Sequence, residues 1–437
     1  MKITAEKALA FPVLLLVWLG GLGFEEAMPF VLVLTVLVLV RLAVVYRNVQ
    51  TILIFYIFHL TFVLILIPYF FYGIPISPHV EFQINKYMNP TLLIHSAFVM
   101  ALYIFTDLQT PRRKVVLAQY LPKRVSPPSY YLLVGIMIAI MVSMFWYKQY
   151  IYSDWSKVWE TDIANTEGAS GAPEYFCVVF LAAFVFASDR FKKYGLIGIF
   201  MLYSYLGISR GLRGSAILMS LLFFALFLDG KVKTRYILVL AILAAFVVHG
   251  VGALREGQAR TGFVSLYGHG GGLLTNQGET FYTSNVIVSA IIDGAVGPKE
   301  RLVSLFAGLL HTVFPPRIAF TIESRPQLYT GKLLPGRDEG GGCLASAFFY
   351  FWLDYLGVLL AALYIAWVTG RAIKHPAPLL SIYIVGVYSY YPRWLVYDAV
   401  SFLFRVPLYA IFLYMGAVEL HKIVLESKLA REKPIPQ

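Results

Sequence analysis

The sequence predicts an all-α polytopic membrane protein of about 12 transmembrane helices (up to 14 with two re-entrant or short segments), both termini cytoplasmic. Composition is the first reason: 59% of the 437 residues are hydrophobic and 14% charged, with mean hydropathy +0.71. A soluble domain is roughly 45–50% apolar and about 25% charged. The second reason is the recurrence of apolar runs near the ~20 residues that a crossing helix needs. The third is the clustering of basic residues in alternate loops. Thirty-six Lys+Arg against 24 Asp+Glu give a net charge of +12, which in a soluble chain would suggest nucleic acid. Here much of that excess sits between apolar runs, where it orients the chain in the membrane. Cys177 and Cys343 are the two cysteines, too few for a disulfide framework or a Cys-rich metal site. The sequence also has no GxxxxGK[ST], HExxH or CxxC pattern.

In chain order the predicted spans are 8–23, 27–46, 51–72, 91–106, 130–147, 174–188, 194–208, 214–229, 236–253, 343–369, 378–391 and 394–419. Lys2 and Lys7 before the first run imitate a signal peptide. With no A-x-A cleavage site and more spans following, the run reads as a retained helix. Arg112, Arg113, Lys114, Lys123 and Arg124 place the 107–129 loop in the cytoplasm. Alternation then puts Asp189–Lys193, Lys231, Lys233, Arg235, Arg371, Lys374, His375 and the tail from His421 on the same side. Arg41, Arg47 and the N-terminus also fall there. Residues 1–437 thus form a single integral membrane domain with two sizeable outside loops, 148–173 and 254–342. The larger loop begins and ends outside, so it holds no crossing or two. Its apolar runs 281–296 and 301–314 are short for crossings and suggest a re-entrant or interface-lying, amphipathic helical pair.

Orientation does not explain the cations outside. Nine arginines fall there (Arg210, Arg213, Arg255, Arg260, Arg301, Arg317, Arg325, Arg337, Arg393) against five lysines (Lys86, Lys148, Lys157, Lys299, Lys332). A planar guanidinium grips phosphate oxygens bidentately, whereas an ammonium is a hydrated point charge. The set therefore points to a phosphate-bearing partner at headgroup depth, although any single arginine is more simply read as snorkelling or pairing with a carboxylate. Ser209-Arg210-Gly211-Leu212-Arg213-Gly214-Ser215 is a minimal outside turn before a helix start, where free N–H groups and the dipole favour an anion. Arg255 follows the ninth span directly, and Arg317 follows Pro315-Pro316. With Arg337 these are the candidate diphosphate-binding residues.

The stretch Leu334-Pro335-Gly336-Arg337-Asp338-Glu339-Gly340-Gly341-Gly342 precedes a span. It is either a solvated turn with ordinary helix-start acids, or a mobile loop holding a carboxylate that accepts a hydroxyl proton. Glu339 and Asp338 are the candidate catalytic residues. Glu279, Asp293, His311 and Glu323 are weaker candidates, His269 reads as a mobile-loop residue, and Glu160 with Asp162 is a poor metal signal. Arg405, near the middle of the last run, needs a partner facing the bundle; Asp398, two turns away on the same helix face, or Asp354 would serve. His59, His95 and His249 read as hydrogen-bonded packing residues. Trp146, Tyr147, Trp155, Trp159, Tyr390, Tyr391 and Trp394 read as interface anchors.

With about a dozen spans, enlarged third and fifth outside loops, the Ser209-Arg210-Gly211 turn and the Arg337–Gly342 stretch, the chain resembles the Wzy-type O-antigen (oligosaccharide repeat-unit) polymerases. The resemblance covers nearly the whole chain in topology and rests on short motifs. It implies a GT-C-like membrane glycosyltransferase fold in the bacterial inner membrane. It also implies undecaprenyl-diphosphate-linked oligosaccharides as donor and acceptor, no cofactor, no metal and no nucleic acid. A chain-length regulator is compatible as a protein partner. Related ligases that move the finished glycan to lipid A-core share the layout, often with an outside histidine in the large loop; His269 and His311 keep that reading open. Two rivals remain. One is a lipid-linked glycan flippase, which would show paired repeats that this sequence lacks. The other is a GT-C enzyme using a lipid monophosphate, with Glu25-Glu26 as its acids.

Overall fold

Helix starts in this chain are written by proline and threonine. In the computed structural model Thr4 caps α1 (Ala5–Gly23), accepting from the Lys7 amide at 3.3 Å. Prolines in the first turn open α2 (Met28–Val45), and, after α3 (Gln50–Leu64), the short α4 (Ile67–Tyr72). Then follow α5 (Met88–Phe105), α6 (Pro127–Trp146), α7 (Ala172–Phe186), α8 (Arg190–Ser209) and α9 (Arg213–Phe223), the last running into a wide π turn at Phe224–Leu228. The second half holds α10 (Leu273–Ile292), α11 (Pro298–Val313), α12 (Ala345–Ile373), α13 (Pro378–Ser389), α14 (Tyr391–Val396), a π turn at Val400–Arg405, and α15 (Val406–Glu432). The structure describes residues 4–73, 86–109, 111, 113–146, 172–209, 213–240, 243, 273–314, 342–374 and 376–432; the side chains of 145–146, 172–173, 208–209, 213–216, 273–276, 279 and 428–432 are outside that description. Among the described residues there is no strand.

Among the described residues, seven helices are long and apolar enough to cross a membrane: Ala5–Gly23, Glu25–Val45, Gln50–Tyr72, Met88–Phe105, Pro127–Met144, Ala345–Ile373 and Val400–Ser427. Shorter apolar helices cover Glu174–Phe186, Ile217–Leu228, Thr280–Ile292 and Pro378–Ser389. The chain is thus a helical, multi-pass membrane protein. The ends that carry the basic loops are bonded to one another at one face of the bundle. Lys7 Nζ donates to the Ile104 and Thr106 carbonyls, Arg41 pairs with Glu6, and Asn48 donates to the Pro111 carbonyl. Arg124 N donates to the Val185 carbonyl, Gln50 to that of Val232, and Ser129 Oγ to that of Ala417.

The run 343–369, expected as one span, is two helices. Leu353 leaves the helical region and Asp354 takes φ 51°, ψ −143°, a conformation nearly reserved for glycine. The two arms fold back so sharply that a Cβ at Gly357 would overlap the Phe349 carbonyl, eight residues earlier. In a straight helix those positions are ~12 Å apart. The expected span 394–419 is likewise irregular at its start, with α14, a bend at Tyr397 and the π turn before α15.

The helical pair expected in the large loop is α10 and α11. Helix α11 has reversed polarity: Arg301, Ser304, Ala307, Gly308 and His311 are buried, while Leu302, Val303, Phe306, Leu309, Leu310 and Val313 are exposed. A helix in water does the opposite, so this exposed side suits hydrocarbon. Helix α10 buries Gln277, Thr280, Thr283, Ser284, Asn285 and Ser289, the kind of polar seam that packs helices where water is absent.

Candidate functional site

Ends of α7, α12 and α14 meet beside the π turn before α15. Pro392 in the first turn of α14 and the bend at Tyr397 interrupt the apolar run, and the interruption carries three charged side chains inward. Glu174, in the first turn of α7, pairs with Arg393 at 3.2 Å, their side chains 8% and 23% exposed. The Arg393 guanidinium also lies 4.8 Å from the Tyr397 ring centre and 5.9 Å from that of Phe402, within cation–π range. Tyr390 donates its hydroxyl to the Glu174 carbonyl at 2.6 Å, fixing the helix start that carries the acid.

A second group adjoins it. Asp398 accepts the Ser401 amide at 3.0 Å and the Ser401 hydroxyl at 2.6 Å, the pattern of a helix N-cap. Arg405 in turn donates to Ser401 Oγ at 2.6 Å and to the His311 carbonyl at 3.2 Å. Asp398 therefore serves Arg405 through Ser401 rather than directly. The expected two-turn spacing on one α-helical face fails because residues 400–405 form a π turn, which shifts the register. Asp354, the other partner considered, is held by Arg301 at 2.6 Å. Arg393 Nε and Arg405 Nε are both buried, and neither has an acceptor among the described residues.

Gly342 joins this cluster to the sequence motif. A Cβ there would overlap the Val396 carbonyl oxygen and crowd the Tyr397 ring, so only glycine allows the backbones this close. Gly342, three residues after Glu339 in the sequence, thus leads into α12 directly against the segment carrying Arg393 and Asp398.

Of the residues expected from sequence, Arg210, Arg255, Arg317, Arg337, Asp338 and Glu339 lie outside the described residues, as do His249, His269, Glu323, Glu160, Asp162, Tyr147, Trp155 and Trp159. Arg213 opens α9 and Glu279 lies within α10, but their side chains, like that of Trp146, are outside the description. Asp293 accepts the Tyr87 hydroxyl at 2.5 Å, away from the cluster, whereas His311 is buried in it. Arg301 is spent on the bend of α12, donating to the Phe351 and Tyr350 carbonyls as well as to Asp354. Tyr390, Tyr391 and Trp394, expected as interface anchors, are fully buried; Trp394 packs 5.3 Å from Phe55 and donates to the Val387 carbonyl. His59 and His95 are hydrogen-bonded packing residues, as expected. Sequence reasoning did not single out Glu174 or give Arg393 a place in the site. The available signal was Pro392 with Arg393 and Asp398 inside an otherwise apolar stretch. Among the described residues no group of three His, Cys, Asp or Glu side chains is placed to hold a metal. No family model, curated protein or solved structure matches this chain.

Proposed function

We propose that this chain is a membrane glycosyltransferase that joins undecaprenyl-diphosphate-linked oligosaccharide repeat units into a surface polysaccharide. In this reading the protein has about 12 spans in a GT-C-like arrangement in the bacterial inner membrane. Its termini and basic face are cytoplasmic, and its site is on the periplasmic side. The observation that carries the reading is the close approach of Gly342 to Val396 and Tyr397. It brings Gly342, the end of the acidic, glycine-rich stretch, against the segment that carries Arg393, whose buried Nε–H has no acceptor among the described residues.

The chemistry asks for those groups. An acceptor sugar hydroxyl attacks the anomeric carbon of the donor glycan, the bond to the diphosphate oxygen breaks, and the hydroxyl proton passes to Glu339, or to Asp338. Negative charge grows on the departing diphosphate. Preorganised donors at such an oxygen are worth about 2.7–4 kcal/mol each. Arg210, Arg213, Arg255, Arg317 and Arg337 supply them in this proposal, with Arg393 and Arg405 lining the wall behind. Neither arginine of the wall is free to leave, since Glu174 and Ser401 hold them.

A second reading, transfer of finished glycan to lipid A-core, is favoured by one observation: His311 lies in the same cluster as Arg405. The test separates the readings. Purified protein is given a lipid-diphosphate oligosaccharide. A ladder of lengthening glycan supports polymerisation, transfer to lipid A-core supports the ligase, and translocation without new bonds supports a flippase. Arg210→Ala, Arg255→Ala and Glu339→Ala are each expected to abolish long-chain product at unchanged protein level; normal chain length in all three overturns the site.

A further inference from the structure

Away from the charged cluster, a buried polar chain runs through the middle of the bundle. His59 in α3 and His95 in α5 are fully buried and face each other, Nε2 to Nε2, at 3.0 Å. The other nitrogen of His95, Nδ1, lies 3.0 Å from the hydroxyl of Ser346, the second residue of α12. The proton positions follow from the hydrogen-bond count. Only one of the two facing Nε2 atoms carries hydrogen. His59 Nδ1 has no partner among the described residues, and a bare buried nitrogen is tolerated better than an orphaned N–H. His59 Nε2–H therefore donates to His95, which leaves His95 Nδ1–H to donate to Ser346.

The chain ends on a turn that is held from a second side as well. Ser284 of α10 accepts the Leu344 amide at 3.0 Å. Two residues before Leu344 is Gly342, pressed against Val396 and Tyr397, and between them Cys343 is 1% exposed. Apolar packing would let this turn slide or rotate. Directed hydrogen bonds in surroundings without competing water do not.

We propose that His95 is a positioning residue: its Nδ1–H, kept in one tautomer by His59, pins Ser346 and with it the first turn of α12, so that Gly342 is held against Val396 and Tyr397 in one register. His95 acts through Ser346 and touches no substrate. The consequence for catalysis rests on the polymerase reading; the pinning of the turn does not.

Cys343 reports on that turn directly. In a Cys177→Ser background it is the sole thiol, and its maleimide labelling is measured in membrane vesicles beside the glycan ladder. His95→Asn keeps an amide donor near the Nδ1 position, whereas His95→Gln moves the donor to the Nε2 position; Ser346→Ala is the smaller change if either histidine variant folds poorly. His95→Gln and Ser346→Ala are expected to label Cys343 at least about tenfold faster. His95→Asn is expected to label as slowly as the parent. The first two should also lose about tenfold or more in kcat, with KM for the lipid-linked glycan within about threefold, because positioning and not binding is removed. His95→Asn should restore kcat. Equal labelling in His95→Gln and His95→Asn overturns the proposal, and faster labelling at unchanged kcat overturns its catalytic half. A parent protein that makes no ladder overturns the polymerase reading and the catalytic half of the proposal, while the labelling series still decides whether His95 holds the turn.

Discussion

Replacing Arg301 with alanine tests how the fold-back of α12 is held. The first arm of that helix stops at Leu353, so its last carbonyls have no intrahelical donor. Arg301 supplies them, with Nε to the Phe351 carbonyl and Nη2 to the Tyr350 carbonyl at 3.1 Å. Hydrogen bonds from a charged donor are worth about 1.5–3 kcal/mol each. The ion pair with Asp354 adds about 0–1 kcal/mol, because that carboxylate side chain is 56% exposed and screened. Arg301→Ala should therefore cost about 3–6 kcal/mol locally, or about 10²–10⁴ in the opening equilibrium of the first arm at 1.4 kcal/mol per decade. Asp354→Gly should be close to neutral. It loses only the exposed half of the pair and relieves a positive-φ conformation worth about 1–3 kcal/mol of strain. Hydrogen–deuterium exchange of peptides covering 345–352 measures both. The reasoning is refuted if Arg301→Ala exchanges like the parent, or if Asp354→Gly is the more damaging change. The second outcome would mean that the ion pair, and not the capping of carbonyls, holds the bend.

Two further predictions concern other buried charges. Arg393→Leu strands Glu174, whose side chain is only 8% exposed, and should cost about 3–5 kcal/mol; adding Glu174→Gln should recover much of that loss in a thermal-stability series, and no recovery would show that the pair is not the source. Asp229, just past the π turn after α9, is bonded to the Thr51 hydroxyl and the Leu117 amide, and burial pushes its carboxyl up from 3.8 to about 6. The folded state then takes up this proton before the unfolded chain does. Ionised Asp229 costs up to ~3 kcal/mol above pH ~6, and that cost fades as pH falls from about 6 towards 4. The stability gap between Asp229→Asn and the parent should shrink over that range; a gap independent of pH refutes the assignment.

Much of the architecture was legible because a bilayer imposes length and polarity on every segment. The runs at 8–23, 27–46, 51–72, 91–106 and 130–147 each match a long apolar helix. Breaks inside apolar runs were not legible. Nothing in Phe351-Trp352-Leu353-Asp354-Tyr355 announces a reversal, since the same residues fit a straight helix with one acid on it. At the kink Arg301, 53 residues from Asp354, takes up carbonyls that the break in the helix frees. Arg405 reaches Asp398 only through Ser401 for a related reason: a π turn stands where the spacing implies a regular α-helix.

The amino-acid sequence alone settled that this chain lives in a membrane, since hydropathy and the alternation of basic loops are sums over local residues and need no contacts. Which charges meet was decided only by the tertiary structure. Glu174 and Arg393, or His95 and Ser346, are 219 and 251 residues apart, and they become neighbours only because helices end, bend and cross where packing in three dimensions requires it.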